Sequence, residues 1–264
     1  MELIQSKENN IIKEARKLKE KKFRAMASKF LVEGFRFLEE ALKSSFEIST
    51  VFISEKSLSK WQELEFQSLI KPGTRVYLLK EAVFKLLSET ESSQGVIGMV
   101  NKTEIKAVSE EGIYILADRI QDPGNLGTII RSAHAAGALG VIVTKGTVEV
   151  YNEKTLRSTM GSIFNIPVIE DDTLEFTRKL KEAHYKVIVS SLEESENFYD
   201  VDMTRKIIIA VGNEGNGISE EVYDLGDIKV KIPMPGKAES LNAAVAASIM
   251  LFEAVRQKLT TYKL

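Results

Sequence analysis

Apolar positions along the chain alternate between two patterns, and this alternation predicts an α/β protein. In the second half, short apolar runs predict strands, and apolar residues spaced three or four positions apart predict amphipathic helices. The predicted strands are residues 113–117, 140–144, 166–169, 186–190, 206–211 and 228–232, and the predicted helices are residues 126–137, 153–160, 174–183, a short helix near Glu220, and 241–258. Strands joined by helices need crossover connections, so we predict a largely parallel sheet covered on both faces.

The first part of the chain has the same alternation on a smaller scale. Its predicted strands are residues 30–32, 48–53, 75–79 and 95–100, and its predicted helices are residues 7–21, 34–43, 58–64 and 81–87. The polar and charged segment 101–112 separates the two parts and is the best linker candidate. We therefore predict a domain of residues 1–104 and a second domain of residues 105–264.

Composition narrows the chemistry that is available to this protein. With 264 residues and 44% apolar residues, the chain can bury a core. No apolar run approaches the roughly 18 residues of a membrane span, and the N-terminus lacks a signal peptide pattern, so we expect a cytoplasmic protein. The absence of cysteine excludes disulfides, thiolate nucleophiles and the common zinc ribbons. The two histidines, His134 and His184, are far apart, and we predict no metal site.

The net charge of −2 hides a strongly basic segment near the N-terminus. Against Glu14 and Glu20, this segment carries Lys13, Arg16, Lys17, Lys19, Lys21, Lys22, Arg24 and Lys29. Such a cluster lowers the free-energy cost of approaching phosphates and is typical of nucleic-acid binding, although a solvated helix face is the alternative. Acidic residues gather elsewhere, which predicts a face that avoids RNA: Glu193, Glu194, Glu196, Asp200 and Asp202.

The first segment that carries chemistry follows the strand predicted at residues 113–117. Asp122-Pro123-Gly124 predicts a turn at the carboxyl end of that strand, and Asn125 is placed to act as the N-cap of the next helix. At about 100° per residue, the apolar side chains of this helix share one arc, and Arg131 points almost opposite to its centre. We predict that Arg131 is exposed, as plain surface or, alternatively, as a contact to a phosphate or a partner subunit.

The second segment places Gly212, Gly215 and Gly217 directly after an apolar strand. Glycines permit positive φ angles and a close approach of a ligand to the backbone. Their spacing differs from the G-x-G-x-x-G dinucleotide fingerprint. A glycine-rich surface turn is the alternative, and Glu214 argues against it because turn chemistry needs no carboxylate there.

The third segment contains Ile232-Pro233-Met234-Pro235 and, further on, Ser240-Leu241-Asn242. The two prolines fix φ on either side of Met234 and predict a stiff loop. Either Ser240 or Asn242 is predicted to cap the helix that follows. That helix begins with small residues, which permit close packing against neighbouring backbone, although high helix propensity is an equally simple explanation.

Taken together and in this order, the three segments resemble the three motifs of the SpoU, or TrmH-like, branch of the SPOUT RNA ribose 2′-O-methyltransferases. The resemblance spans about residues 113–258 and rests on Asn125-x-Gly127-x-x-x-Arg131, Gly212-Asn213-Glu214-Gly215-x-Gly217, and Ile232-Pro233-Met234 followed by Ser240-Leu241-Asn242. In the first domain, Leu31-Val32-Glu33-Gly34 leading into Leu38-Glu39-Glu40-Ala41-Leu42 resembles the L30e-like substrate-binding domain of such enzymes.

The resemblance implies a trefoil-knotted, largely parallel-sheet methyltransferase domain behind a smaller L30e-like α/β domain that binds RNA. It also implies a homodimer, with S-adenosylmethionine bound in the knot. The implied cofactor contacts are Gly212, Asn213, Gly217, Ile232, Met234 and Leu241. The implied catalytic residues are Arg131, Asn125, Glu214, Ser240 and Asn242. The RNA-binding candidates of the first domain are Arg16, Lys17, Lys21, Lys22, Arg24 and Arg36.

The chemistry of methyl transfer limits what Arg131 can do. Transfer to a ribose hydroxyl requires an in-line approach to the methyl group and the removal of a proton. A guanidinium holds its own protons too tightly to be a good general base. We therefore expect Arg131 to anchor an RNA phosphate and to stabilise the developing alkoxide, while the proton leaves through Arg131, the phosphate or water. Because Arg131 points away from its own sheet, we expect it to serve a site near the dimer interface.

Several alternatives stay open from the sequence. The two-domain organisation favours 23S rRNA, with guanosine preferred, over tRNA as the substrate, and a resistance role stays possible. A nucleotide-dependent dehydrogenase fits the alternation of strands and helices, but the missing G-x-G-x-x-G argues against it. A non-catalytic module for ribosome binding or assembly is the alternative from another class, and failure to bind S-adenosylmethionine would favour it.

Overall fold

Strands and helices alternate along the computed structural model, which describes residues 1–90, 92–107, 111–191, 195–213, 215–236 and 238–262. The chain divides into two units, Met1–Glu104 and Ile105–Leu264. No helix in these described ranges combines the length and apolar character needed to cross a membrane.

The N-terminal unit is built on a mixed five-stranded sheet. Its strands are β1 (Glu2–Ile4), β2 (Lys29–Glu33), β3 (Ile48–Ser54), β4 (Arg75–Leu79) and β5 (Val96–Asn101), in the order β1-β4-β3-β5-β2. The first three strands in this order are parallel, whereas β5 runs antiparallel to both β3 and β2. The helices are α1 (Asn10–Lys17), α2 (Lys21–Ala27), α3 (Phe35–Lys43), α4 (Leu58–Glu63) and α5 (Glu81–Leu87). The short edge strand β1 was not among the predicted strands.

The single helix predicted over residues 7–21 is wrong, because the chain breaks into α1 and α2. The guanidinium of Arg24 donates hydrogen bonds to the carbonyls of Leu18 (2.8 Å) and Lys19 (2.7 Å). These carbonyls follow the last turn of α1, where a helix leaves its acceptors without partners. Arg24 thus stabilises the break from within the fold, and only 7% of its surface is exposed.

Glu33, at the end of β2 and just before α3, forms hydrogen bonds with the loop after α5. Its carboxylate accepts hydrogen bonds from the Ser88 hydroxyl (2.7 Å), the Thr90 hydroxyl (2.6 Å) and the Glu89 amide (3.1 Å). Burial alone would raise the pKa of Glu33, but these hydrogen bonds, together with one from Ser93, outweigh it and hold the pKa below its usual value of 4.5. Glu33 therefore fixes the loop after α5 against the end of β2.

The C-terminal unit is built on a seven-stranded sheet in which every described pairing is parallel, so the predicted parallel sheet is confirmed. Its strands are β6 (Ile113–Ala117), β7 (Gly140–Val143), β8 (Val168–Glu170), β9 (Lys186–Ser190), β10 (Glu196–Asn197), β11 (Ile207–Val211) and β12 (Ile228–Lys231). They lie in the order β10-β12-β9-β11-β6-β7-β8. The helices are α6 (Pro123–Ala135), α7 (Glu153–Thr159), α8 (Glu175–Glu182), α9 (Glu220–Tyr223) and α10 (Ala243–Tyr262).

The parallel arrangement brings the loops with the three sequence motifs to one edge of this sheet. The loops after β6, β11 and β12 all leave from the carboxyl ends of their strands, and β6 and β11 are direct neighbours. The long helix α10 packs against α6, β11 and β6. Carboxyl-end loops of a parallel sheet are the usual position of ligand sites in α/β proteins.

Gly127 of the first motif is explained by packing between α6 and α7. A Cβ atom at this position would lie 2.4 Å from the Ser158 Cβ and 2.5 Å from the Thr155 carbonyl oxygen. Only glycine therefore fits, because the backbone of α7 cannot move away without disturbing both helices.

Candidate active site

The start of α6 is fixed by Asp122 and Pro123. The Asp122 carboxylate accepts a hydrogen bond from the Asn125 amide at 2.9 Å, and Pro123 occupies the beginning of the helix, where its fixed φ is favourable. This amide, followed by the nearby Lys154 ammonium, holds the pKa of Asp122 below its usual value. The prediction that Asn125 is the N-cap is wrong, because Asp122 begins the helix earlier. Asn125 lies in the first turn, and its side chain has another role.

Asn242 joins the third motif to the first. Its side-chain nitrogen donates a hydrogen bond to the Asn125 Oδ1 at 3.0 Å. Its own Oδ1 accepts from the amides of Ala244 (3.0 Å) and Val245 (3.2 Å), so Asn242 is the residue that caps α10. Ser240, the other predicted cap, is exposed and has no hydrogen bond to any residue in the described part of the chain. One side chain thus fixes a helix start and contacts the other motif.

A buried carboxylate, Asp118, joins three loops at this edge. Asp118 is only 1% exposed, and its two oxygens accept from the Thr144 hydroxyl (2.7 Å) and the Ser219 amide (2.6 Å). The Thr144 hydroxyl also accepts from the Arg119 amide at 3.1 Å. Asp118 therefore connects the loops after β6, β7 and β11. Asp118 was not among the predicted site residues, although an acid directly after an apolar strand is a signal that the sequence contains.

The loop after β11 closes into a tight hairpin. The amide of Asn213 donates to the Gly217 carbonyl, and the amide of Gly217 donates to the Asn213 carbonyl, both at 2.9 Å. Gly217 has φ +66°, which favours glycine. A Cβ atom at Gly212 would lie 2.3 Å from the Gly217 carbonyl carbon. Gly212 and Gly217 are therefore both required for the shape of the loop.

The side chain of Asn213 also holds this loop together. Its Oδ1 accepts from the amides of Gly215 (2.9 Å) and Asn216 (3.0 Å). Its Nδ2 donates to the Arg119 carbonyl at 2.9 Å, which links the second motif to the loop after β6. Asn213 therefore organises this loop through its side chain.

The loops with the predicted cofactor residues present open main chain. Among the described residues, and apart from the chain neighbours, none has an atom within 4 Å of the position that a Cβ would take at Gly217 or Gly236. Ile232 and Met234 are partly exposed in the loop after β12, and Leu241 is exposed just before α10. Glu214, the predicted catalytic carboxylate, lies outside the described residues. These loops thus leave space beside Gly217 and Gly236 and expose apolar side chains near it.

Arg131 is exposed on α6, as predicted from the helical periodicity. The apolar side chains on the opposite side of the helix are buried: Leu126, Ile129, Ile130 and Ala133. Ala136 and Gly137, which the same arc included, are not buried. Among the residues that the structure describes, none forms a hydrogen bond or ion pair with the Arg131 guanidinium. The next residue, Ser132, contacts Ser248 of α10 at 2.8 Å between their hydroxyl oxygens, so α6 presents Arg131 beside α10.

An exposed apolar stripe follows α10. Val245, Phe252 and Leu259 are 47%, 49% and 48% exposed and are spaced seven residues apart. Residues at this spacing lie on one face of a helix. Large apolar side chains aligned on one exposed helix face are typical of an interaction surface.

The predicted RNA-binding residues of the N-terminal unit differ in their surroundings. Exposed positions are held by Arg16, Lys17, Lys21, Lys22 and Arg36. Arg24 is buried and donates to main-chain carbonyls, so its predicted RNA contact is not supported. Three other basic residues of the segment have acidic partners: Lys13 with Glu8, Lys19 with Glu89 and Lys29 with Glu14. The exposed cations are therefore concentrated at the end of α1 and the start of α2 and α3.

A comparison with known families identifies the class of protein. The chain matches the SpoU rRNA methylase family over residues 112–252 and the MRM3-like substrate binding domain over residues 9–98. The chain belongs to the SpoU rRNA methylase family.

Similar proteins cover nearly the full length of this chain. The 23S rRNA (guanosine(2553)-2′-O)-methyltransferase RlmP of Bacillus subtilis (strain 168) is 35% identical, over 96% of this chain and 98% of that protein. The 23S rRNA (uridine(2479)-2′-O)-methyltransferase of Streptomyces viridochromogenes is 32% identical, over 90% of this chain and 86% of that protein. The crystal structure of an AdoMet-bound rRNA methyltransferase from Sinorhizobium meliloti superposes with a TM-score of 0.84 and 32% identity, over 97% of each chain.

The two roles of Asn242 can be separated by substitution. Asn242→Ser keeps an oxygen that caps α10 but is too short to reach Asn125. We expect its free energy of unfolding to stay close to that of the wild type, while methyl transfer falls at least about tenfold because the two motifs are no longer joined. Asn242→Ala removes the cap as well and should cost about 1 kcal/mol of stability. Thermal unfolding and initial methylation rates measure both effects. Wild-type activity in Asn242→Ser would show that the contact with Asn125 has no catalytic role.

Proposed function

We propose that this protein is an S-adenosylmethionine-dependent RNA ribose 2′-O-methyltransferase that acts on 23S rRNA in the cytoplasm, with guanosine as the favoured nucleotide. The observation that carries the proposal is the direct contact between Asn125 and Asn242, at the same sheet edge as the hairpin of residues 212–217. Family membership supports the reaction, and the names of the two relatives support 23S rRNA and the ribose 2′-oxygen. The relatives differ in the base, and the more similar one acts on guanosine.

The open main chain at the sheet edge fits the cofactor. An adenosine that packs closely against the backbone needs glycines and stiff loops, and the space beside Gly217 and Gly236 is free of other described residues. The residues that would hold the cofactor are Gly212, Asn213, Gly217, Ile232, Met234 and Leu241. When bound, S-adenosylmethionine supplies an activated methyl group on its sulfonium. The AdoMet-bound structure from Sinorhizobium meliloti, which matches 97% of this chain, supports this choice of cofactor.

The proposed catalytic work of the chain is positioning and charge stabilisation. The Arg131 guanidinium has no hydrogen-bond or ion-pair partner among the described residues. Its planar group of parallel N–H donors is suited to binding an RNA phosphate. From that position it stabilises the alkoxide that develops on the ribose. The amides of Asn125 and Asn242, which already contact each other, orient the hydroxyl together with Ser240 and Glu214. The proton leaves through Arg131, the phosphate or water.

In this proposal, the N-terminal unit is an L30e-like domain that holds the RNA. The match to a substrate binding domain over residues 9–98 supports this role. The exposed cations that would contact phosphates are Arg16, Lys17, Lys21, Lys22 and Arg36.

We also propose a trefoil knot in the C-terminal unit and a homodimer formed through it. Family membership supports the knot, which would be an exception to the rule against threaded chains. The exposed stripe of Val245, Phe252 and Leu259 supports a second copy as the partner, because a symmetric pair of such faces buries both stripes at once. Since α6 presents Arg131 beside α10, the same contact would bring Arg131 close to the partner's site.

Methyl transfer can be measured directly. Labelled S-adenosylmethionine is offered to separated 23S rRNA and tRNA made without modifications, and the labelled nucleoside is identified. We expect 2′-O-methylguanosine in 23S rRNA, and a loss of about a hundredfold or more in Arg131→Ala, because one stabilising donor group is removed. Label only in tRNA would contradict the proposed substrate. Without labelling of either RNA and without cofactor binding, the non-catalytic assembly module would replace the enzyme.

A mixed dimer tests whether the site is shared. Co-expression of an Arg131→Ala chain with a Gly212→Val chain gives pairs in which one of the two sites has both an intact cofactor loop and an intact Arg131. We expect about a quarter of the wild-type activity if each site takes Arg131 from the partner, although each parent alone is inactive. A mixture as inactive as its parents would count against a shared site.

The proposed interface has its own test. Phe252→Glu should yield monomers in analytical ultracentrifugation. Dimeric Phe252→Glu would count against the proposed interface.

A further inference from the structure

Arg119 has a backbone conformation that an arginine does not favour. It follows Asp118 at the end of β6 and has φ +53°, in the left-handed region. Its amide donates to the Thr144 hydroxyl, and its carbonyl accepts from the Asn213 side chain, so the backbone is held in place from both sides. Glycine or asparagine adopts this conformation at a lower cost in free energy. The backbone conformation therefore does not explain why an arginine stands at this position.

The side chain of Arg119 is held in position but lacks hydrogen-bond partners. Its aliphatic part lies against Gly146, where an added Cβ would be 3.4 Å from the Arg119 Cγ. Its Nε forms an ion pair with the Asp118 Oδ2 at 3.8 Å, a distance too long for a hydrogen bond, and this Nε is buried without a hydrogen-bond acceptor. Within the described ranges, none of its guanidinium N–H groups donates a hydrogen bond. Because the side chain is 42% exposed, these donors are available to an anionic ligand.

The position of Arg119 relates it to the proposed reaction. Its carbonyl is bonded to Asn213 of the cofactor hairpin, and its loop leads directly into the helix that carries Asn125. Two more exposed cations follow β7: Lys145, next to Gly146, and Lys154, which is 58% exposed and contacts Asp122 at 3.1 Å. Because Lys154 is paired with Asp122, the cations around the start of α6 that remain for a ligand are Arg119 and Lys145.

The anion that fits this surface is a phosphodiester. A guanidinium binds a phosphate through two parallel hydrogen bonds, and an RNA strand supplies one phosphate for each nucleotide along a surface. We propose that Arg119 binds a backbone phosphate of the RNA strand beside the nucleotide that is methylated; this inference rests on the proposed function. Arg119 then acts in substrate binding, whereas Arg131 acts at the reacting ribose.

The test uses Arg119→Asn in the full-length protein, because asparagine tolerates the left-handed backbone but removes the charge. We expect the free energy of unfolding to stay close to that of the wild type, because the relieved backbone strain offsets the lost ion pair with Asp118. The Kd for S-adenosylmethionine should stay within about twofold, because the backbone contacts of residue 119 to Thr144 and Asn213 are kept. The Kd for a 23S rRNA fragment should rise at least about fivefold, and the slope of log Kd against log salt concentration should fall by about one. Arg119→Lys keeps the positive charge but loses the planar guanidinium. Its Kd for the RNA fragment should lie between those of the wild type and Arg119→Asn.

Arg205→Asn is the matched control. Arg205 is exposed and lies just before β11, at the amino edge of the same sheet, so this variant removes the same charge from the opposite side. Its RNA affinity and salt slope should stay close to those of the wild type.

Equal RNA affinity and equal salt slope in Arg119→Asn and the wild type would overturn the inference. A higher Kd for S-adenosylmethionine in Arg119→Asn, with unchanged RNA binding, would also overturn the inference. It would indicate that Arg119 contacts the cofactor carboxylate instead. Because RNA binding is measured without turnover, the inference is separable from the proposed function. A wild type that binds RNA but transfers no methyl group would contradict the function alone.

Discussion

The buried carboxylate of Asp118 is the interaction on which the geometry of this site depends. A carboxylate that is almost fully removed from water needs hydrogen-bond donors, and Asp118 finds them in Thr144 and Ser219. These partners are 26 and 101 positions away along the chain, on the loops after β7 and β11. Hydrogen bonds to a charged acceptor are stronger than those between neutral groups. Three loops that are far apart in the sequence are therefore fixed relative to one another.

Two further side-chain contacts join the motif loops at this edge. Asn213 connects the glycine-rich hairpin to the loop after β6, and Asn242 connects the start of α10 to Asn125. The motif residues therefore serve mainly to assemble the loops: Gly127 allows two helices to touch, and Gly212 allows the hairpin to close. Arg131 stands apart from this network, which agrees with a role toward a ligand.

The sequence correctly predicted the elements whose pattern is local. The predictions failed where the structure depends on contacts between residues that are distant in the sequence. Continuous apolar runs identified the parallel strands, and helical periodicity identified the exposure of Arg131. The break between α1 and α2 was missed because it depends on the tertiary contacts of Arg24. Asn125 was taken for the N-cap because its residue type suits that position, but Asp122 suits it as well and is followed by a proline. No local pattern could indicate that Asp118 joins three loops.

We propose that Asp118 assembles the loops that would hold S-adenosylmethionine, and calorimetric titration of Asp118→Ala with this cofactor tests this role most directly. Asp171→Ala is the control: Asp171 is also buried, and it accepts three hydrogen bonds, from Phe176 and Thr177, away from the motif loops. Both variants should lose a similar amount of stability, about 1–3 kcal/mol. We predict that the Kd for S-adenosylmethionine rises at least about tenfold in folded Asp118→Ala and stays within about twofold in Asp171→Ala. Wild-type cofactor affinity in Asp118→Ala would contradict the account.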